Sequence, residues 1–293
     1  MVVLSSAVSL LAQQSTTPAI PPAQLVRETV AHEVNANSSD EKHLFRSYRK
    51  TPKGSQTKLY VETNDAIAGM LIAVNDHPLT PQQEQAEKDH LAWLMNNPDQ
   101  LRKKRSREKE DAERTMRIVK ALPDAFRYEY AGTENSEEGL GKVGDQLVRL
   151  KFTPNPSYSP PSHVEQVLEG MQGYLLIDTE AKRIARMDGT LFRDVSFGWG
   201  IIGHLDKGGH FVVQQADVGD GSWEITVMSL KITGKILMLK SISMISDETF
   251  SDFQREPENL TFADGVHLLN KEHEHLEHEA SSPAPVVTKK NAQ

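Results

Sequence analysis

Cysteine is absent from the 293-residue chain. Its absence removes disulfides, thiolate metal sites, cysteine nucleophiles and the residue that would carry a bacterial lipoprotein anchor. Stability has to come from packing. Positive charge is in deficit, with 33 Lys and Arg against 41 Asp and Glu and a formal net charge of -8. The long-range field that gathers nucleic acid is missing, and no nucleic-acid partner is expected. Long apolar runs are lacking as well. No stretch reaches the roughly 18 apolar residues of a membrane-crossing helix. A mean hydropathy of -0.50 with 25% charged residues puts much of the chain in surface, loop or tail.

The chain is rich instead in turn dipeptides. Between Gly173 and Asp252, the pairs Asp188-Gly189, Gly208-Gly209, Asp220-Gly221 and Thr233-Gly234 cut short apolar and alternating stretches. Each can place a residue at positive φ between two strands, so the run predicts an antiparallel meander. Its strands are expected at 173–178, 183–188, 195–204, 210–216, 222–230 and 235–245. Upstream, 43–50, 57–63, 66–75, 125–130 and 146–152 read as further strands, the first two joined through Pro52-Lys53-Gly54. The fold class is α+β, a strongly curled antiparallel sheet of roughly ten strands, because open twisted sheets of that size curl.

Three helices are expected, and Val164 to Met171 reads as a short helix or turn. Leu25, Val26, Val30 and Val34 recur at helical spacing within 23–35. Thr80-Pro81-Gln82-Gln83 combines an N-cap, an N1 proline and an N3 glutamine, and Asn97-Pro98 opens a second helix that Pro123 is expected to stop. Between Leu101 and Ala112 that helix has no apolar residue, so this half should stand in water. The expected organisation is a signal-like segment and linker at 1–22, one domain at 23–269 with a helical insertion at about 80–122, and a disordered charged tail at 270–293. The apolar Met1 to Ala12 followed by polar residues resembles a signal-peptide core. It predicts export to a periplasm.

Several patterns that could carry chemistry fail on context. Gly139-Leu140-Gly141-Lys142-Val143-Gly144 spells the dinucleotide glycine pattern, but it follows an acidic loop and leads into a strand, where a phosphate site needs a following helix. His273-Glu274-His275-Leu276-Glu277-His278 departs from the zincin pattern because Glu277 stands where the second histidine belongs. No GxSxG is present. No catalytic residue, metal or cofactor is assigned, and no enzymatic activity is expected. The basic run around Arg102-Lys103-Lys104-Arg105 is interleaved with acids, giving pairs such as Arg107 with Asp111 and Lys109 with Glu113. The exposed segment Leu101 to Glu113 is a candidate docking surface for an envelope protein partner.

The strongest signal is apolar content on both faces of several strands. Phe197-Gly198-Trp199-Gly200-Ile201-Ile202 and Ile236-Leu237-Met238-Leu239 do not alternate, whereas Trp223, Ile225 and Val227 alternate with Glu224 and Thr226. Such strands need two coverings. Helices can supply one, and the other is either core or a concave site for an apolar ligand. The candidate lining residues are Trp199, Ile201, Trp223, Ile225, Val227, Leu237 and Leu239.

An exported cysteine-free chain with an N-terminal helix, a curled antiparallel sheet, helices inserted mid-chain and hairpins such as Gly173 to Asp178 followed by Arg183 to Arg186 resembles the lipoprotein-localisation superfamily. These are the LolA/LolB-like half-barrels, to which RseB-like sensors are also similar. The resemblance covers about 24–269. It implies a concave apolar face that holds acyl chains of a lipid or acylated protein, helices as a lid, and no catalysis. The alternative is a structural or sensory envelope protein whose interior is filled by its own side chains.

Overall fold

The computed structural model describes residues 20–36, 41–198, 202–219, 221–236 and 240–281. The segment Met1 to Ala12, Trp199, Ile201, Leu237, Leu239 and residues 282–293 lie outside them. Helix α1 (Pro22–Ala36) buries Leu25, Val26 and Val30, the stripe that the sequence predicts. Strands β1 (Lys42–Thr51) and β2 (Gly54–Val61) form a hairpin, and β3 (Ala68–Val74) and the short β4 (His77–Pro78) continue it. Helix α2 (Pro81–Met95) opens on a complete capping box between Thr80 and Gln83. Helix α3 (Pro98–Ala125) follows directly.

The second half of the chain is mostly sheet. Strands β5 (Phe126–Asn135) and β6 (Gln146–Pro154) precede the single-turn helix α4 (His163–Gln166). Next come β7 (Met171–Asp178), β8 (Arg183–Leu191), β9 (Val195–Phe197), β10 (Gly203–Leu205), β11 (His210–Gly219), β12 (Ser222–Ile236) and β13 (Lys240–Glu256). Helix α5 (Phe262–Ser281) ends the described chain. All 13 strands of the described residues belong to one sheet, whose path runs β4-β3-β2-β1-β13-β12-β11-β8-β7-β6-β5, with β10 and β9 attached beside β12. Every named strand pair is antiparallel. The path is open, ending on β4 and β5.

Two cores divide the molecule. One packs α1 and the C-terminal end of α3 on β5 to β8, around Val26, Leu122, Phe152, Leu168, Leu175 and Ile177. The other packs α2 and α5 on β1 to β3, around Leu59, Val61, Met70, Leu91, Phe262 and Leu269. A smaller cluster of Leu140, Leu147, Leu176 and Ala185 lies under the loop between β5 and β6. That loop carries the glycine pattern and is pinned to β11 by Gly141 N to Gln215 O (2.9 Å) and Asp217 N to Gly141 O (3.3 Å). It joins two strands and opens no helix, so the phosphate-binding context is absent.

Four expectations are corrected. Asp188-Gly189 and Thr233-Gly234 lie inside β8 and β12 rather than at turns, and neither glycine has positive φ. They answer to close approach instead. A Cβ on Gly234 would lie 2.2 Å from the His204 carbonyl oxygen of β10, and one on Gly189 would lie 2.3 Å from the Phe211 ring. The expected strand at 195–204 is instead the pair β9 and β10, which are antiparallel to each other. Helix α3 runs past Pro123 to Ala125, because a proline in the last turn removes little of the remaining hydrogen bonding. Helix α5 continues past Asn270, where the sequence is expected to become a disordered tail. Phe262, Val266, Leu269 and Leu276 fall on one stripe against the second core, beneath a surface dense in Glu and His.

Gly173 and Gly189 face each other across β7 and β8. A Cβ on Gly173 would sit 1.9 Å from the Asp188 backbone oxygen, whereas on Gly189 it would meet a side chain that can shift. Gly173→Ala should cost about 3 kcal/mol and Gly189→Ala about 1 kcal/mol. Urea unfolding of the two variants separates them, and equal losses would mean that Phe211 is as fixed as the backbone.

Candidate functional site

Residues paired across antiparallel strands share a face, so the register identifies what the sheet presents between its two cores. Ser47 pairs with Phe250, Phe45 with Tyr60, Met228 with both Glu248 and Val213, and Leu230 with Phe211. These residues lie on one face of β1, β2, β11, β12 and β13. Phe211 joins this face to the first core. Phe45 stacks on Phe253 with centroids 5.4 Å apart, tilts against Tyr60 at 5.4 Å and meets the edge of Phe250 at 6.1 Å. Phe45, Tyr60, Val213, Met228, Leu230, Ile232, Phe250 and Phe253 all remain partly exposed. Met244, opposite Ile232, is 48% exposed. The result is a surface of partly exposed apolar side chains on the middle of the sheet, interrupted on β13 by Glu248, which accepts a hydrogen bond from Ser47 Oγ.

A bulge decides which side of β12 contributes. Gln214 pairs with Val227 and Gln215 with Ile225, leaving Thr226 as the extra residue. Beyond it, Met228 and Leu230 join the apolar face, while Val227 lies beside Gln214 and Thr249 on the other. Trp223 packs against the cluster of Leu140, Leu147, Leu176 and Ala185, with the Arg183 guanidinium 5.5 Å from its ring centroid. Ile225 sits at the bulge, half-buried. The structure therefore brings Met228, Leu230 and Ile232 to the apolar face in place of Val227. The alternation of Trp223, Ile225 and Val227 was legible in the sequence, and the flip at Thr226 was not.

At one end of this face, β12 and β13 part. They pair from Val227 and Thr249 onward, after which β13 pairs with β1 through Lys42 and Glu256. Charged side chains fill the fork. His43 Nδ1 lies 3.2 Å from Glu224 Oε1 and 3.7 Å from Glu62 Oε2. Ser222 Oγ donates to Glu41 (2.7 Å), and Arg255 reaches Glu41 at 3.2 Å. Burial, followed by the charge of Glu62, pushes the Glu224 carboxyl up to about 7. The adjacent Glu62 carboxylate raises the His43 imidazole above its ordinary value against the opposing effect of burial.

At the other end lies a cleft of about 590 Å³ between the edge of the sheet and the first half of α3. Lys58, Tyr60, Gly69 and Leu71 form its floor, and Glu87, His90 and Trp93 of α2 with Lys103, Lys104, Arg107, Glu108 and Asp111 of α3 form its wall. The segment Leu101 to Glu113 is thus exposed on one side and lines this cleft on the other. Its ion pairs include Lys104 with Glu108 (2.6 Å) and Lys109 with Glu113 (3.9 Å), while Asp111 pairs with Arg114 (2.9 Å) rather than Arg107. Elsewhere, α5 brings His273 and Glu277 within 4.8 Å of Glu84 on α2, a set that could hold a metal. Lys88 Nζ, 2.6 Å from Glu84, already supplies positive charge there.

The fork predicts a pH dependence. Glu224 and His43 both bind protons more tightly in the folded than in the unfolded chain. Stability should fall as pH rises from the unfolded carboxyl value through about 7, and the His43 contribution should be lost through its raised folded value. Glu224→Gln should gain about 2 kcal/mol over wild type at pH 8 and almost nothing at pH 4.5. Chemical denaturation at the two pH values measures the difference, and parallel profiles would remove the fork as its source.

No protein-family model matches the sequence, and comparison with curated proteins finds no match. Among solved structures, the chain is similar to a DUF1329 family protein from Desulfovibrio piger over 85% of this chain and 100% of that one, at 9% identity and a TM-score of 0.28. A likeness of that size carries no argument about function.

Proposed function

We propose that the protein is a non-catalytic carrier or chaperone of the cell envelope that binds lipid or lipoprotein acyl chains on its apolar sheet face. The observation that carries this reading is the partly exposed row from Tyr60 through Phe45, Phe250 and Phe253 to Met228, Leu230 and Ile232. Each methylene removed from water contributes about 0.8 kcal/mol, so eight of them offset the ordering of a flexible chain with about 6 kcal/mol. Covalent chemistry is not required.

A half-barrel form of the sheet is supported by a length argument. Nine strand spacings separate β3 from β5 along the sheet path, about 43 Å if laid flat. Glu108 of α3 accepts a hydrogen bond from Ile67 N beside β3, and the same helix feeds β5 at Phe126. The 18 residues between them span about 27 Å as helix. A chord shorter than the arc favours a sheet bent toward α3, with the apolar face inside the bend. Periplasmic placement rests on the signal-like Met1 to Ala12.

The test is lipid occupancy with face-specific variants. Protein purified from a bacterial host should carry lipid in native mass spectrometry and should bind a fluorescent fatty acid. Met228→Lys and Leu230→Lys should each weaken that binding about tenfold with little change in unfolding midpoint, because both side chains are only half-buried. Ile245, 36% exposed and paired with Lys231 on the opposite face, is the control. Equal loss from Ile245→Lys, or a wild-type protein that stays empty and ignores fatty acid, would overturn the assignment.

A further inference from the structure

The cleft at the edge of the sheet has an imbalance that the apolar face does not explain. Its acidic residues are engaged by the protein itself. Glu87 Oε1 accepts from Leu71 N (2.9 Å), Glu108 accepts from Ile67 N (3.1 Å) and pairs with Lys104 (2.6 Å), and Asp111 pairs with Arg114 (2.9 Å). Lys58, Lys103 and Arg107 line the same cleft, and none has an ion-pair partner within 4.0 Å among the described residues. Lys103 and Arg107 are four residues apart on α3, so they project from one side of it. Lys58 rises from β2, two residues from Tyr60 on the same face.

Resting on the acyl-binding reading, we infer that this cleft receives the anionic, phosphate-bearing headgroup of the bound lipid. Three arguments converge. A guanidinium and two ammonium groups around a cavity of about 590 Å³ match a phosphodiester in charge and size. The acids that would repel it are neutralised in part by backbone amides and partner cations. The Tyr60 ring, on the cleft floor, is the first member of the aromatic row that continues through Phe45 to Phe253. A lipid whose headgroup sits among Lys58, Lys103 and Arg107 can therefore lay its chains along that row without leaving the sheet. The charge also sets an orientation, because Glu62, two residues beyond Tyr60 on the side away from Lys58, joins Glu224 around His43, whose ring meets Phe253.

The experiment compares two lipids with identical chains, dioctanoyl phosphatidylglycerol and dioctanoyl phosphatidylcholine, with inorganic phosphate as a third probe. Wild-type protein should bind the anionic lipid about tenfold more tightly than the zwitterionic one at low ionic strength, with the preference shrinking as salt is added. The triple variant Lys58→Gln/Lys103→Gln/Arg107→Gln should bind both equally, at the affinity of wild type for phosphatidylcholine. Arg105→Gln/Lys109→Gln, which removes two charges from the other side of α3, should keep the preference. Both sets replace partly or fully exposed side chains, and the unchanged phosphatidylcholine affinity of the triple variant reports an intact fold. Equal wild-type affinity for the two lipids would overturn the headgroup site while leaving acyl binding in place. Binding of neither lipid would overturn acyl binding and the headgroup site with it. Saturation by inorganic phosphate, with neither lipid retained, would assign the cleft to a free anion and likewise overturn the proposal.

Discussion

The sheet is continuous because β13 pairs with two different strands along its length. Its first ten residues pair with β12, and its later residues, from Asp247 to Glu256, pair with β1. Without it, β1 to β4 with α2 and α5 would form one unit and β5 to β12 with α1 another, each with an open edge. Parting from β12 while staying on β1 also creates the fork in which Glu224 meets His43. The backbone hydrogen bonds lost by separating two strands leave polar space, and charged side chains occupy it. The carboxyl near neutrality follows from the same geometry, because Glu224 is held in the fork beside Glu62 with only His43 and Arg183 to offset the repulsion.

Local signals in the sequence located most elements. The stripe of α1, the β1–β2 hairpin and the Thr80 capping box depend on residues within a few positions of one another, and pattern alone identifies them. The hairpin meander was right in kind. It failed at Gly189 and Gly234, because a glycine needed where two strands approach closely is indistinguishable in sequence from one needed in a turn. The stretch 270–281 was misjudged for a different reason. The contribution of α5 to the second core is sparse, five apolar residues across 262–276, and charge dominates its composition.

The site was less legible because its parts are far apart in the chain. The aromatic row joins Phe45 and Tyr60 to Phe250 and Phe253, and only the β1–β13 register brings them together. On β12, Val227 was turned away from the apolar face by a single bulged residue, since one inserted position exchanges the two faces of every residue beyond it. The cleft combines Lys58 with Lys103 and Arg107, which no local pattern connects.

Helix α3 shows how these parts depend on one another. Leu101 packs on the second core and Ile118 to Ala125 on the first, while the stretch between them buries almost nothing. Such a segment is marginal on its own, since each i,i+4 ion pair contributes only about 0.3–0.5 kcal/mol. It persists because both ends are anchored and the helix need not be stabilised along its whole length. Its exposed middle is then free to carry charge in place of a packing stripe. Glu108 covers the open edge of β3 by accepting from Ile67 N, as Glu87 of α2 does at Leu71 N, a use of carboxylates that protects an edge strand from pairing with another chain. Protection of the edge draws on the acids of the cleft, and the same arrangement leaves Lys58, Lys103 and Arg107 without ion-pair partners among the described residues. The cationic cleft is thus a consequence of how the sheet ends.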